Sequence, residues 1–525
     1  MVKNNRSKLI LWLLLMVSGM GTASAFEPDS LVWEKCAGCH PAENGKLARV
    51  EDIRTTPEEW TVIVDRMYRL HGMKLINGEM ATLLKELCTT QMLTPEEAAR
   101  VSYINLFNNP QTLEVPRGSN EEQMFASCVR CHSAGKIYSY RMTESAWKKL
   151  RDFHIYIDPA IMFQMREMYW RSEADRALGY LAQNLPYDRP WTAPQAQPDG
   201  EWFILGVEPG KGNFRGQAKL TATGGGEYGL QGHLTFADGT NESFSGEATL
   251  YGGYALRTRT EQNGNATMGA FSFEHGIISG EHHQNAPDFR TSSSTWFPVT
   301  QQSRALRVTP GYLLSGEQTK ILIEGINLPA VTVGDIIVSS ADIEVLQANT
   351  TSPETIELVL VYRAADSGVA TISVKGLDAD SPVLKLKLAV RIDYLKISPE
   401  TGRARINGGM HYPAEGVQFQ AFAYSRGMDA DDPSDDFVLG LVVADFSLAE
   451  EETRPGDDDL AYLGGIEPDG TYIPTGDYAP LPERGFGGEA TGMVKVIAKY
   501  SRGATAYTAE ARLVVTVPDF IQRIK

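Results

Sequence analysis

Two copies of the pattern Cys-x-x-Cys-His constrain this chain more than any other feature of its sequence. Four of the five cysteines belong to these copies, which are Cys36-Ala37-Gly38-Cys39-His40 and Cys128-Val129-Arg130-Cys131-His132. Two thiols at this spacing can add to the two vinyl groups of a haem while the next histidine binds its iron, so the pattern predicts two covalently attached c-type haems. A disulfide or a thioredoxin-like redox pair also uses Cys-x-x-Cys, but neither requires the histidine that follows both pairs.

The sequence around the two motifs is duplicated. An aromatic residue stands three positions before the first cysteine of each copy, Trp33 and Phe125. Each motif is followed by a threonine that starts a helix and by a tryptophan four positions later, in the segments Thr56 to Trp60 and Thr143 to Trp147. These repeats predict an α-helical dihaem cytochrome c domain built from two modules, residues 26–107 and 108–190.

The duplication also predicts the sixth ligand of each iron. Met67 lies seven residues after Trp60, and His154 lies seven residues after Trp147. The expected ligand pairs are therefore His40 with Met67 and His132 with His154. His71 remains an alternative at the first site, and the stripe formed by Met162, Met165 and Met168 is interpreted as core packing or the lining of a haem pocket.

The first 25 residues have the pattern of a secretory signal. Three cations (Lys3, Arg6 and Lys8) precede an apolar run over residues 9–17 and a small-residue cleavage site at 23–25. The apolar run is too short to span a bilayer about 30 Å thick. Net charge is −17, which excludes nucleic acid as a partner and favours redox partners with a basic face. The sequence thus predicts a periplasmic protein without a membrane span.

The rest of the chain predicts three all-β domains, at residues 198–304, 305–391 and 392–525. Alternation of apolar and polar residues with period two, for example over 216–221, is separated by turn signals such as Asn263-Gly264. The first of these domains is expected to be an antiparallel β-barrel or meander, and the other two immunoglobulin-like sandwiches. No phosphate-binding, serine-hydrolase or zinc-protease motif accompanies them.

Two further groups of metal-binding side chains are weaker candidates. His282 and His283 point to opposite faces of a predicted strand and cannot share a metal with His275. The acidic loops over residues 429–436 and 457–459 carry enough carboxylates for Ca²⁺, but their spacing is not that of an EF-hand and they are interpreted as solvated loops.

This combination of a signal peptide, two c-haem motifs about 90 residues apart and three β domains resembles the α subunit of bacterial quinohaemoprotein amine dehydrogenase. In that family the α subunit joins a β-propeller subunit and a small subunit whose cysteine tryptophylquinone oxidises a primary amine to an aldehyde and ammonia. Electrons then pass through two haems to a soluble cytochrome c or a blue copper protein. The family's haems are one bis-His and one His/Met, as the duplication predicts here.

The resemblance implies that this chain is the dihaem electron-transfer subunit of a periplasmic amine dehydrogenase and does not bind the amine alone. Because a thioether ligand raises the haem potential, electrons are expected to enter at the His132/His154 site and to leave from the His40/Met67 site. One alternative is a dihaem peroxidase, which needs a displaceable ligand at one iron. The other is a surface-binding module in which the haems relay electrons to a bound polysaccharide or protein.

Overall fold

The structure is a computed structural model that describes residues 25–106, 111–129, 131–164, 167–187, 193–194, 196–284, 289–409, 413–427, 432–477, 479, 481–484 and 488–517. Strands contain 44% of the residues and helices 21%. All of the predicted signal peptide except Ala25 lies outside the described residues, as do Arg130 and Met165.

The N-terminal region contains short helices and short strands. Among its described residues there are nine α-helices: α1 Leu31–Cys36, α2 Pro57–Leu70, α3 Glu79–Thr90, α4 Pro95–Ala99, α5 Ser119–Cys128, α6 Ala134–Tyr138, α7 Glu144–Ile157, α8 Ile161–Gln164 and α9 Trp170–Asn184. The four strands there are β1 Ala42–Glu43, β2 Lys46–Leu47, β3 Ile53–Thr55 and β4 Tyr140–Met142.

The prediction of an α-helical cytochrome c domain followed by three β domains is wrong for its first part. The chain is mostly β, and the N-terminal region is not a clearly helical bundle because its helices are short and are interrupted by turns and strand pairs. Glycines lie where these helices end and begin. Gly72 and Gly78 flank the segment between α2 and α3, and both have positive φ. The strands β3 and β4 have three residues each and pair although they lie far apart in sequence. Segments this short carry no sequence pattern that would predict the pairing.

An approximate two-fold axis relates the two halves of this region. The antiparallel pair β3–β4 places Arg54 directly opposite Arg141, and these two residues occupy the same position relative to Trp60 and Trp147. The helices that follow, α2 and α7, have 14 residues each and start after the equivalent caps Thr56 and Thr143. Two equivalent segments that pair with each other are what a two-fold arrangement requires.

A single carboxylate pairs with both arginines of this strand pair. Glu97 accepts from Arg54 at 2.8 Å and from Arg141 at 3.1 Å, and both guanidinium groups are almost completely buried. The capping box of α4 also fixes Glu97, because its carboxylate accepts from the backbone N–H of Thr94. Removal of Glu97 would leave two buried guanidinium groups without their shared anion.

Each half holds its tryptophan in the same way. The indole N–H of Trp60 and the backbone N–H of Thr55 both donate to the carbonyl of Gln91. In the second half, the indole N–H of Trp147 and the backbone N–H of Met142 both donate to the carbonyl of Leu185. These shared acceptors connect each central helix to the end of its own half.

Eight strands after the N-terminal region form a closed antiparallel barrel. The order around it is β10-β11-β12-β5-β6-β7-β8-β9, with bounds β5 Gly200–Glu208, β6 Gly212–Gly224, β7 Glu227–Phe236, β8 Asn241–Tyr251, β9 Ala255–Gln262, β10 Asn265–Glu274, β11 Ile277–Gln284 and β12 Thr291–Pro298. Alternate residues such as Phe214, Ala218 and Leu220 fill its core. The Asn263-Gly264 hairpin has positive φ at both positions, as a two-residue turn between twisted strands prefers.

Two four-stranded sheets follow the barrel, in the orders β13-β15-β18-β17 and β14-β20-β19-β16. Apolar side chains from both sheets form one core, which includes Ile321, Leu358 and Leu386. The strand bounds are β13 Arg304–Thr309, β14 Tyr312–Leu314, β15 Gln318–Ile326, β16 Ile336–Val338, β17 Ile343–Ser352, β18 Thr355–Tyr362, β19 Gly368–Val374 and β20 Leu384–Ala389.

The last part of the chain also consists of paired sheets. A three-stranded sheet, β21-β24-β25, a four-stranded sheet, β22-β29-β28-β26, and the pair β23-β27 enclose a core around Phe419 and Tyr472. Their bounds are β21 Tyr394–Ser398, β22 Thr401–Arg405, β23 Val417–Gln418, β24 Gln420–Ser425, β25 Phe437–Val442, β26 Asp445–Glu450, β27 Thr471–Tyr472, β28 Gly492–Arg502 and β29 Thr505–Thr516. The predicted immunoglobulin-like topology and domain boundaries stay predictions.

Candidate metal centre

Both Cys-x-x-Cys-His motifs open into one cavity in the N-terminal region. The cavity has a volume of about 970 Å³ and walls that are mostly apolar. Each half supplies one motif and one central helix, α2 or α7, so the cavity straddles the approximate two-fold axis. A large apolar pocket with a few convergent polar groups is the usual form of a cofactor site.

The first motif is formed by the end of α1 and the turn that follows it. Ser30 caps α1 by accepting from the backbone N–H of Trp33. The backbone N–H groups of Cys39 and His40 both donate to the carbonyl of Cys36, at 3.1 Å and 2.8 Å. This tight turn brings both thiols and the imidazole to the same side of the chain end, facing the cavity.

The second motif is formed in the same way at the end of α5. Cys128 is the last residue of that helix, and Cys131 and His132 line the cavity with it. None of these thiols is oxidised to a disulfide in the structure, whose described residues include all five cysteines. Burial raises the pKa of Cys36 to about 11 and also raises the pKa of Cys128, so both remain thiols at neutral pH.

The two motif histidines are prepared to bind a metal through Nε2. In each ring Nδ1 lies within hydrogen-bond distance of a backbone carbonyl: His40 is 3.0 Å from the oxygen of Ala48, and His132 is 3.2 Å from that of Ser133. Donation from Nδ1 leaves the lone pair on Nε2, and such second contacts accompany most metal-binding histidines. The residues present therefore fit the iron ligands that the two motifs predict.

Burial keeps both of these imidazoles neutral. It lowers the pKa of His132 to about 4, with a further lowering from the charge of Lys136. It also lowers the pKa of His40, and the charge of Arg49 acts in the same direction. A neutral imidazole is the form that coordinates metal ions.

His154, the predicted sixth ligand of the second site, faces His132 across the cavity. The two ring centres are 6.4 Å apart, and His154 Nδ1 lies 2.7 Å from the carbonyl oxygen of Leu150. Two imidazoles that bind one metal from opposite sides, each with a nitrogen about 2 Å from it, have ring centres about 6 Å apart. The spacing is therefore suitable for one metal ion between them.

The first site offers three side chains that could complete its coordination. Met67 on α2, His71 at the end of α2, and Met73 all line the cavity. His71 and the motif histidine His40 line the same cavity. The choice between Met67 and His71 stays open.

The methionine stripe of the second half is part of a small apolar cluster. Met162 and Met168 pack against Ile161, Trp170 and Ala174. Met165 lies outside the described residues. The packing of the two described methionines agrees with their interpretation as core residues.

Sequence reasoning missed the charge of the cavity wall. Among the described residues the wall carries one carboxylate, Asp158, and five cations: Arg49, Arg66, Lys136, Lys149 and Arg151. Lys136 pairs with Glu59, and Arg151 pairs with Asp152 and Asp175. The cavity is thus locally positive in an acidic chain. The cations are scattered in sequence, so only their assembly by the fold makes them visible.

The other predicted metal groups do not assemble into comparable sites. His282 lies inside the barrel against Phe271 and Trp296, whereas the buried His283 contacts Thr291 through its Nδ1. His275 lies in the turn between β10 and β11. These three histidines therefore do not converge on one metal.

The acidic loops are held by protein partners. The carboxylates of Asp457, Asp458 and Asp459 lie close together, but Asp459 pairs with Arg454 and Arg484. In the other loop, residues 429–431 lie outside the described part of the chain, and Asp436 accepts from the hydroxyl of Tyr394 at 2.5 Å. Calcium binding at either loop stays untested.

Comparison with known sequences gives three matches that together span most of the chain. Residues 27–191 match the haem-binding family of the quinohemoprotein amine dehydrogenase alpha subunit, residues 195–292 match its domain II, and residues 395–524 match its domain IV. No curated protein matches the sequence. Within the described residues, no helix combines the length and apolar character needed to cross a membrane.

Solved structures show only distant similarity. A redesigned β-barrel named mFAP1, solved with DFHBI bound, is 14% identical, and the match covers 19% of this chain and 93% of that one with a TM-score of 0.18. The extracellular cadherin domains 1–5 of protocadherin gamma B2 are also 14% identical, covering 61% and 72% of the two chains with a TM-score of 0.17.

Proposed function

The chain belongs to the family of quinohemoprotein amine dehydrogenase α subunits, and from this premise we propose that it relays electrons out of a periplasmic amine dehydrogenase. The partner that oxidises the primary amine to an aldehyde and ammonia is a small subunit carrying cysteine tryptophylquinone. A β-propeller subunit completes the heterotrimer, and a soluble cytochrome c or blue copper protein accepts the electrons.

The observation that carries this proposal is the shared cavity. Both Cys-x-x-Cys-His motifs, which lie far apart in sequence, line the same mostly apolar space. Each bound haem c would take up and release one electron at its iron. Two such groups held by one rigid domain would be near neighbours, which a relay between a donor and an acceptor requires.

The chain's own residues would bind two haems covalently. Each thiol of a Cys-x-x-Cys pair adds across one vinyl group, and the next histidine supplies Nε2 to the iron. The attaching residues are Cys36, Cys39 and His40 at the first site, and Cys128, Cys131 and His132 at the second. The mostly apolar wall would pack against the haem rings.

The predicted sixth ligands set the direction of electron flow. We assign His154 to the second site, since its ring is 6.4 Å from that of His132 and its Nδ1 contacts a carbonyl. We assign Met67 to the first site. A thioether ligand raises the potential relative to a second imidazole, so the second site would receive electrons and the first would pass them on.

Two cations of the cavity wall are available for the anionic carboxylate groups of haem. Arg49 and Lys149 have no carboxylate partner within the described part of the chain, although Arg49 donates to the carbonyl of Cys39. Both side chains are exposed, so they stand where the cavity meets solvent. Haem carboxylates that point out of the cavity would pair with them there.

A haem assay with cysteine variants tests this proposal. The full chain, produced with a c-type haem attachment system, is expected to carry two covalent haems and to show the sharp visible bands of reduced thioether-linked porphyrin. Because each motif serves one site, the double variants Cys36→Ser/Cys39→Ser and Cys128→Ser/Cys131→Ser should each lower covalent haem to about one per chain. Cys88→Ala, which changes a buried cysteine outside both motifs, is the matched control and should keep two.

Isolation of the native complex tests the partner assignment. Mass measurement should find a small quinone-bearing chain, and addition of a primary amine to the complex should reduce both haems. A colourless chain would rule out the haem proposal. A coloured chain purified without a quinone-bearing partner, and not reduced by amines, would rule out the amine dehydrogenase role.

A further inference from the structure

One contact joins the two halves beside both predicted sixth ligands. The guanidinium carbon of Arg66, on α2, lies 4.6 Å from the ring centre of Phe153, on α7. Arg66 immediately precedes Met67, and Phe153 immediately precedes His154. These two residues are also equivalent in the duplication, because each stands six positions after its tryptophan. The contact therefore lies near the approximate two-fold axis.

The duplication is asymmetric in charge at this position. One copy has a cation, Arg66, and the other has the neutral ring of Phe153. No carboxylate in the described part of the chain pairs with Arg66, and the nearest acid on its own helix, Asp65, is paired with Arg69. The aromatic face stabilises the guanidinium without cancelling its charge. The cavity wall thus contains a full positive charge at the junction of the two sites.

The contact with Phe153 connects this charge to the sixth ligand predicted for the second site. The ring of Phe153, beneath the guanidinium, is 6.0 Å from the ring of His154, measured between ring centres. Asp158, the carboxylate of the cavity wall, has no ion pair with Arg66, and the neighbouring Arg151 is already paired with two aspartates. The side chains facing this region therefore do not neutralise Arg66.

We propose that the positive charge of Arg66 raises the reduction potential of the second haem. This charge would make the difference between the potentials of the two haems smaller. This inference depends on the proposed function, because it needs a haem at each site. Reduction removes one positive charge from the iron centre, so a fixed cation nearby favours the reduced form. A narrower gap between the two potentials means that less free energy is dissipated when an electron passes from the second site to the first.

Charge variants of Arg66 test this inference by potentiometry of the purified chain, followed in the visible bands. A unit charge about 10 Å from a redox centre changes a one-electron equilibrium about tenfold at an effective dielectric constant of about 20. We expect Arg66→Gln to lower the reduction constant of the lower-potential haem about tenfold, which is about 59 mV for one electron. The other haem should change less.

Three further variants separate charge from structure. Arg66→Met removes the charge but keeps a linear side chain over Phe153, and it should reproduce the effect of Arg66→Gln. Arg66→Lys keeps the charge and should restore a potential near that of the wild type. Lys148→Gln removes a cation of α7 that is 70% exposed and lies outside the cavity wall, and it should leave both potentials unchanged.

The inference fails if both neutral variants leave the two potentials where the Lys148→Gln control leaves them. It also fails if Arg66→Lys shifts the lower potential as far as Arg66→Gln does, because charge would then not be the cause. Failure of the proposed function would look different, since the unmodified chain would then lack two redox-active haems.

Discussion

Three histidines of the cavity share one local device at the scale of single residues. The Nδ1 atoms of His40, His132 and His154 each lie within 3.2 Å of a backbone carbonyl oxygen, and in all three Nε2 is left as the group that can bind a metal. A backbone carbonyl cannot be changed by substitution. The orientation of each ring is therefore fixed by the fold, whatever side chains surround it.

Substitution of the predicted sixth ligands tests their roles. If Met67 is the ligand, Met67→Ala removes the methionine sulfur that favours reduced iron. The reduction constant of the higher-potential haem should then fall more than tenfold. The absorption band that the methionine sulfur gives the oxidised haem should disappear as well. His71→Ala is the matched control one turn later, and the measurement is visible spectroscopy with potentiometry.

The reverse result would assign the first site to His71. If His71→Ala changes that spectrum and Met67→Ala does not, the predicted ligand is wrong. His154→Ala should alter the second haem alone, because its ring faces His132 and not His40. An unchanged second haem in that variant would remove His154 from the coordination of iron.

At the scale of elements, the strand pair β3–β4 holds the two halves together through buried charges. Glu97 is the shared partner of Arg54 and Arg141, whose side chains are 1% and 6% exposed. Burial by itself would raise the pKa of Glu97, but the hydrogen bond from Arg54, the backbone N–H of Thr94 and the two positive charges outweigh it, and the pKa is lowered. The carboxylate is therefore ionised in the folded protein at neutral pH.

Replacement of Glu97 should destabilise the N-terminal region in a pH-dependent way. Glu97→Gln leaves two buried guanidinium groups without their anion, which costs about 3 kcal/mol at pH 7. Because the folded pKa is lower than the unfolded one, this contribution is complete above the ordinary glutamate pKa of about 4.3 and is lost as the pH falls through the folded value. Thermal unfolding at several pH values from 7 downward measures the difference.

A surface glutamate serves as the control for this prediction. Glu144 pairs with Lys148 on the exposed face of α7, and both side chains are about 70% exposed. Glu144→Gln should change the unfolding temperature little, because exposed pairs are screened by solvent. An equal effect of both substitutions, or an effect of Glu97→Gln that does not depend on pH, would show that Glu97 does not act through its charge.

The elements show where the sequence was informative. The helix starts at Thr56 and Thr143 could be predicted because capping is local, and the structure confirms both caps. The period-two alternation indicated the strands of the barrel, such as β6, for the same reason.

The position of Arg54 opposite Arg141 and the cluster of cavity cations could not be predicted, since they bring together residues that no local pattern relates. The prediction of a helical N-terminal domain is wrong because clear helix signals in two segments do not determine the structure of the segments between them.

At the scale of the whole molecule, the barrel is docked tightly against the first half of the haem-binding region. The turn between β8 and β9 inserts Tyr254 into the core of that half, where its hydroxyl donates to the carbonyl of Leu93. Arg257 pairs with Glu58 of α2 at 2.5 Å. The barrel thus supports the first half of the haem-binding region through apolar packing, a hydrogen bond and an ion pair.

Gly252 in this turn should be needed for the docking. Its φ is +53°, and a Cβ there would lie 2.5 Å from Met92 Sδ and 2.9 Å from the carbonyl oxygen of Cys88, which is closer than real contacts allow. Gly264, in the next hairpin, also has positive φ but no atom within 4 Å of a Cβ. Gly264→Ala should therefore cost only the backbone strain of about 1 kcal/mol, whereas Gly252→Ala should cost more and weaken the contact between the two parts.

Unfolding followed with two signals distinguishes these outcomes. In the wild type the haem absorbance and the far-ultraviolet signal of the strands should change together, because the haem-binding region and the barrel support each other. In Gly252→Ala the haem signal should change at a lower temperature than the strand signal, whereas in Gly264→Ala the two should stay together. If both variants keep a single transition with equal shifts, the clash with Met92 and Cys88 is relieved locally and the barrel does not stabilise the haem-binding region.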